Sequence, residues 1–370
     1  LRLALFLLVL VSAGCSGSIK KPQGWAGGAI VGDSSTAIVA LRNNRLSAVD
    51  LASGQQLWRF PDAARFPDQD SIKLTAFYGE PIIDGDVVYV ADYESQVFAL
   101  NLADGSVRWK LTSGIRGKIN SGLAMRGDFL AFGTGDGHVY QVRKADGSPA
   151  PGWTSAGLNL GAPIWATPVY GDGVLYVATL KGEVRALRTS DGSDAWPTPF
   201  KRAGSFAALA LLGNERLFVP SLDNNVYLLD AASGAQIGSA FKASDWVWNR
   251  PVYRDGVVYF GDFEGQVYAL DITATGFQQR WSQKVSGRVK SGPVLLGNTL
   301  VVGTRDAIVY FLRAGDGTLD NSVPLIDSGT IRASLSDYRG SGLIVTTTGK
   351  LFLAEPQALR VTPVTVGGAQ

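Results

Sequence analysis

A phrase of sequence returns about eight times along this chain, at intervals of about 42 residues. One copy reads Val97-Phe98-Ala99-Leu100-Asn101-Leu102-Ala103-Asp104-Gly105 and reaches Trp109. Others are Ser47-Ala48-Val49-Asp50-Leu51, leading to Gly54 and Trp58, and Val267-Tyr268-Ala269-Leu270-Asp271, leading to Gly276 and Trp281. A small unit used repeatedly can bury its apolar face only against its own copies. The 370 residues therefore make one repeat body rather than the two or three domains that length alone would suggest.

Each copy has the same grammar. An apolar strand often opens on proline, as in Pro81-Ile82-Ile83, Pro168-Val169-Tyr170, Pro251-Val252-Tyr253 and Pro293-Val294-Leu295. A turn such as Asp84-Gly85-Asp86 or Gly171-Asp172-Gly173 supplies residues that tolerate the positive φ of tight hairpins. Second and third strands follow, among them Val87-Val88-Tyr89-Val90 and Val184-Arg185-Ala186-Leu187. A last turn carries Gly54, Gly105, Gly147, Gly192, Gly234, Gly276 or Gly317, and a fourth strand often ends in tryptophan. Four short strands per copy, with period-two alternation and no helical stretch, predict one antiparallel sheet per repeat. The fold class is all-β, an eight-bladed β-propeller of four-stranded antiparallel blades. The strand about Ala29, or the segment from Val361 to Val366, is expected to complete a blade across the closure. Trp58, Trp109 and Trp196 stand four residues after the turn glycine, Trp281 five and Trp153 six. An aromatic at a fixed blade position is expected to wedge between neighbouring sheets.

The amino terminus reads as an address. Arg2 precedes the apolar run Leu3–Val11, and Ser12-Ala13-Gly14 leads to Cys15. The run is too short for a bilayer span, which takes about 20 residues. Small residues before the sole cysteine resemble the bacterial lipobox, with Ser12 where Leu or Val is usual. The resemblance implies a lipoprotein signal peptide over 1–14, a lipidated Cys15 opening a tether over 15–28 (polar from Ser16 to Gly24), and the propeller over 29–370. Ser16 after the cysteine is compatible with the outer membrane.

The pattern Ala-Leu-Asp-x-x-x-Gly-x-x-x-Trp resembles the pyrroloquinoline-quinone-type propeller repeat. With the lipobox-like start, eight repeats and this length, the whole mature chain resembles the BamB family of lipoproteins of the outer-membrane β-barrel assembly machinery. That likeness implies a scaffold protein facing the periplasm, with assembly-complex subunits and unfolded outer-membrane proteins as partners. A general envelope protein-binding propeller is the alternative, and a quinone-dependent dehydrogenase a third reading. Those dehydrogenases are longer and commonly carry adjacent cysteines, whereas this chain has one cysteine.

The composition narrows the chemistry further. Lys plus Arg is 34 and Asp plus Glu is 32, so no global charge favours nucleic acid. With a single histidine, His138, a catalytic triad would hang on one residue and a His-rich metal site cannot form. His138 follows Gly135-Asp136-Gly137 and is expected at an exposed turn. Asp62, Asp68 and Asp70 share an insertion, but their spacing is not that of a calcium loop and Pro61 and Pro67 interrupt it. The chain is expected to be no enzyme and to hold no cofactor or metal.

Repeats show function where they differ. Aligned on Pro81, Leu123, Pro168, Ala210, Pro251, Pro293 and Leu335, the residue three before is Tyr78, Asn120, Trp165, Ala207, Trp248, Lys290 or Arg332. The residue five before includes Lys118, Trp246 and Arg288, and the residue one before includes Glu80, Thr167 and Arg250. In an extended segment these positions share one face and would ring the channel mouth. Tyr78, Lys118, Trp165, Trp246, Trp248, Arg250, Arg288, Lys290 and Arg332 are the candidate binding face, rich in the residue types of interface hot spots.

Overall fold

The computed structural model describes residues 24, 27–32, 34–41 and 45–367. The expected signal segment, Cys15 and most of the tether lie outside the described residues. Within them the chain forms eight four-stranded antiparallel sheets, each built from four consecutive strands. Blade 1 runs from Gly28 to Phe60, blade 2 from Ile82 to Leu111, blade 3 from Ala124 to Asn159 and blade 4 from Val169 to Lys201. Blade 5 spans Ala210–Lys242, blade 6 Val252–Lys284, blade 7 Val294–Pro324 and blade 8 Ser336–Val364.

Register explains the packing between blades. In blade 2 the pairs Ile82↔Tyr89, Tyr89↔Ala99 and Ala99↔Trp109 line up one row of side chains across the sheet. That row packs against Leu130, Phe132 and Tyr140 of blade 3. The alternate residues Val88, Val90, Phe98 and Leu100 pack against Ile38, Leu46, Trp58 and Phe60 of blade 1. The period of two thus sends alternate residues to opposite neighbours, and both faces of each blade are core.

The repeated tryptophans are the wedges the sequence predicts. Trp58 Nε1 donates to the carbonyl of Leu102 in the next blade at 2.7 Å, Trp109 to Lys144 at 2.8 Å and Trp153 to Thr189 at 3.0 Å. Trp196 reaches Ala231 at 3.0 Å and Trp281 reaches Ala314 at 2.8 Å. Each indole lies on the turn glycine of that next blade. A Cβ on Gly234, whose φ is +76°, would sit 2.6 Å from the Trp196 ring. At three seams a tyrosine joins the same acceptor, as Tyr176 does on the Ala231 carbonyl at 2.8 Å.

The seams without such a tryptophan use other parts. Between blades 7 and 8, Asn321 Nδ2 donates to the Leu359 carbonyl at 2.6 Å. Closure differs from the sequence expectation, because neither the Ala29 strand nor Val361–Val366 crosses into the other blade. Gly28–Ile30 belongs to blade 1 and Arg360–Val364 to blade 8. The ring is shut side by side instead. Ala37, Val39 and Leu51 pack on Tyr338, Leu343 and Val345, and Gly367 N donates to the Gly54 carbonyl at 2.8 Å. The Thr365 carbonyl lies against Gly54 where other seams place an indole. A packed apolar seam makes strand exchange unnecessary.

The acidic insertion is also structural. Gln69, 1% exposed, accepts from Asp62 N at 2.7 Å and donates to the Gly105 carbonyl at 3.2 Å, tying the insertion to blade 2.

Two glycines isolate the wedge from backbone strain. Gly213→Ala adds a Cβ at φ +59° with no atom within 4 Å, whereas Gly234→Ala also collides with Trp196. The first should cost about 1 kcal/mol, the second clearly more, and Trp196→Ala about 3–5 kcal/mol. Chemical denaturation of the three variants checks the order.

Candidate binding face at the channel mouth

Alternating strand direction sends the turns within each hairpin pair to one end of the ring. The other end collects the loops joining second to third strands and those joining one blade to the next. The inter-blade loops descend into the innermost strands and line a central cavity of about 490 Å³.

All seven residues three before the inner strand line this cavity: Tyr78, Asn120, Trp165, Ala207, Trp248, Lys290 and Arg332. So do Glu80, Thr167 and Arg250, one before it. In three blades the residue between these two is tied to backbone carbonyls. Ser121 and Ser291 Oγ donate to the carbonyls of Gly133 and Gly303, and buried Asn249 donates to those of Gly261 and Val289. Gly79, Ala208, Asn249 and Ala333, at this same intermediate position, also border the cavity, so the period-two alternation is partial.

It fails one step earlier. Lys118, Trp246 and Arg288 do not line the cavity. Their carbonyls are captured by the loop after the second strand: Gly135 N donates to Lys118 O at 2.8 Å, Phe263 N to Trp246 O at 3.0 Å and Arg305 N to Arg288 O at 2.9 Å. This recurring bond turns the segment onto the rim. Lys118 pairs with Glu94 and lies 5.8 Å from the Tyr93 ring centre. Trp246, 45% exposed, leans on Phe263 at 6.1 Å between ring centres. Arg288 borders a groove with Glu264, Arg305 and Asp306.

Tyr93, Phe263 and Arg305 were not among the sequence candidates. Each follows the end of a second strand, directly after Asp92, Asp262 or Thr304, which are fully buried. Aligning the repeats on that buried polar residue would have shown them. Asp92 accepts from Thr75 N and Ala76 N at 2.8 and 3.0 Å and so fixes the loop above it. Burial raises its pKa although those donors oppose the shift.

The rings form a run. Trp165 and Trp248 are 5.7 Å apart between centres, and Phe263 stacks on Trp248 at 6.1 Å with 18° between planes. Lys290 Nζ sits 4.7 Å from the Trp248 ring centre, a cation–π geometry. Tyr78 meets Tyr93 at 5.5 Å on the far side. Burial pushes the Tyr78 hydroxyl up, and Tyr93 adds to it against the pull of Arg332. Burial, with Arg332 and Arg305 nearby, lowers Lys290 from 10.5 to about 8. Arg332 is lowered by burial and by Arg305.

His138 corrects a sequence expectation. It is 7% exposed rather than an exposed turn residue, because it opens the third strand of blade 3 and its ring turns toward Tyr140 at 6.4 Å. Its Nδ1 is 3.1 Å from Asp136 Oδ1 without the alignment of a hydrogen bond. Among the described residues no three of His, Cys, Asp or Glu group as metal ligands would. No helix among them is long and apolar enough to cross a membrane.

A family model described as outer membrane protein assembly factor BamB matches residues 23–152, 150–237 and 222–358. The chain belongs to the BamB family. It is 23% identical over 311 residues to the outer membrane protein assembly factor BamB of Yersinia pestis, covering 80% of this chain and 77% of that one. The BamB of Burkholderia pseudomallei is 24% identical, with 76% of this chain and 82% of the other covered. The crystal structure of BamB from Moraxella catarrhalis superposes with a TM-score of 0.70 at 16% identity, covering 90% of this chain and 94% of that one. Quinohemoprotein alcohol dehydrogenase from Comamonas testosteroni gives 0.65 at 14% identity, over 90% of this chain and 71% of the other. At such identities the structural likeness speaks for the shared fold alone.

Lys290 has a pH signature. Its folded pKa lies below its ordinary value, so the folded state holds fewer protons than the unfolded state between about pH 8 and 10.5. The penalty is full below pH 8 and fades as pH rises through that window. Lys290→Met should therefore be more stable than the parent at pH 7, with the difference shrinking by pH 10. Denaturant midpoints across that range check this.

Proposed function

We propose that this chain is a non-catalytic, lipid-anchored accessory of outer-membrane β-barrel assembly, held to the membrane through Cys15 and facing the periplasm. The observation that carries the reading is the family match spanning residues 23–358, with relatives named as assembly factors along most of their length. Its partners are subunits of the assembly complex and unfolded outer-membrane proteins.

Two surfaces suit that work. The channel mouth, with its rings and cations, is a docking face for protein segments. The outer blade edges are the other. Blades 3, 4 and 5 end in outer strands of two residues, but blade 6 ends in the nine-residue strand Gly276–Lys284. An edge of that length can accept an added strand through main-chain hydrogen bonds.

Loss of the gene should lower the amount of several β-barrel proteins in the outer membrane, read by quantitative proteomics of that fraction. Cys15→Ser should move the protein from the membrane to the soluble envelope fraction. Unchanged barrel levels would sink the assembly role, and membrane retention of the serine variant would sink the anchor. Protein purified from its source should show no quinone absorbance, and a bound quinone would overturn the non-catalytic part.

A further inference from the structure

The cavity at the mouth is chemically lopsided. Among the described residues, Arg250, Lys290 and Arg332 line it against the single carboxylate of Glu80. Arg305, on the neighbouring loop, lies near enough to repel both Lys290 and Arg332. Collecting like charges where burial already disfavours them costs stability. An anion seated there would relieve both costs.

The rings do not stop at the cavity. Trp165 and Trp248 line it, Phe263 stacks on Trp248, and Trp246 continues from Phe263 onto the exposed rim. That is a path for an extended chain with aromatic or apolar side chains, rather than an enclosed pocket for a small anion. Acids flank the rim, with Glu94 beside Lys118 and Glu264 and Asp306 beside Arg288. A ligand charged along its whole length would meet them. A single carboxylate set among aromatic side chains would not.

We propose that the channel mouth is a peptide site that seats one carboxylate against Lys290 and Arg332 and lays neighbouring aromatic side chains along Trp165, Trp248, Phe263 and Trp246. It rests on reading the chain as a protein-binding assembly accessory and narrows the ligand to an extended segment carrying an acidic side chain or a free carboxyl terminus beside aromatic residues. Its charge is set by Lys290, faced by Arg332 and Arg305, with Arg250 and Glu80 on the same wall and Tyr78 beside Arg332.

The test is fluorescence anisotropy on the purified chain with a short peptide holding one Glu between two Phe residues, against the same peptide with Gln. The Glu peptide should bind about 10-fold more tightly, a difference of about 1.4 kcal/mol. Lys290→Met should erase that preference while raising the thermal midpoint at pH 7, whereas a lysine kept for structure would lower the midpoint. Raising the pH from about 7 to about 9.5 should weaken binding as Lys290 loses its proton, and Lys290→Arg should hold the affinity across that range. Trp248→Leu should weaken both peptides. Equal affinity for the Glu and Gln peptides overturns the site. So does stronger binding to inorganic phosphate or to vesicles of anionic lipid than to the Glu peptide. Barrel levels in the gene deletion are read separately, so a peptide failure beside an intact deletion phenotype overturns this site alone.

Discussion

An indole lying on the turn glycine of the next blade is the contact on which this ring depends. It settles three things together. The ring fills the wedge between two splayed sheets, its N–H donates to a carbonyl of the next blade, and its face occupies the space a Cβ would need. The glycine has a second reason to be glycine, since its φ near +75° already disfavours other residues. Five seams use this device, and the Tyr176–Trp196 pair, 5.7 Å apart between ring centres, shows how a second aromatic braces it. Between blades 7 and 8 Asn321 supplies the bond to the next blade instead, and at the closure Gly367 does.

Because the wedges sit near the turns within hairpins, the opposite end of the ring is relieved of structural duty. There the chain must only enter each inner strand and cap each second strand, and buried Asp92 and Asp262 do the capping with their carboxylates. The residues between are held in place by backbone bonds, and side chains of very different size and charge share that backbone position. That separation lets one blade carry Ala207 at the cavity wall and others Trp248 or Arg332 on the same backbone.

The blade count, the strand order and the wedging role of the tryptophans were legible because they follow from a repeated phrase and a period of two. The cavity wall was legible for the same reason: Tyr78, Trp165, Trp248, Lys290 and Arg332 fall on one repeated position, three before the inner strand. What was not legible depends on bonds between loops distant in sequence. Nothing in the local pattern around Trp246 tells that Phe263 N will hold its carbonyl and turn it to the rim. His138 was misplaced because a residue after a turn may begin a strand, and its burial comes from blade packing rather than from its neighbours in sequence. The closure was misjudged because a strand exchange and a packed seam leave the same mark in a sequence.

The way the ring is shut has a consequence for how the chain could be threaded. Among the described residues each blade is built from four consecutive strands, so Gly28 opens blade 1, Val364 closes blade 8, and the only β-bridge across the closure joins Gly367 to Gln55. The seam at which the chain enters the ring is then immaterial to what each seam buries, provided the blades keep their neighbours. A permuted chain, joined across the present closure and opened in any other inter-blade loop, would keep all eight interfaces and merely move its two ends around the rim.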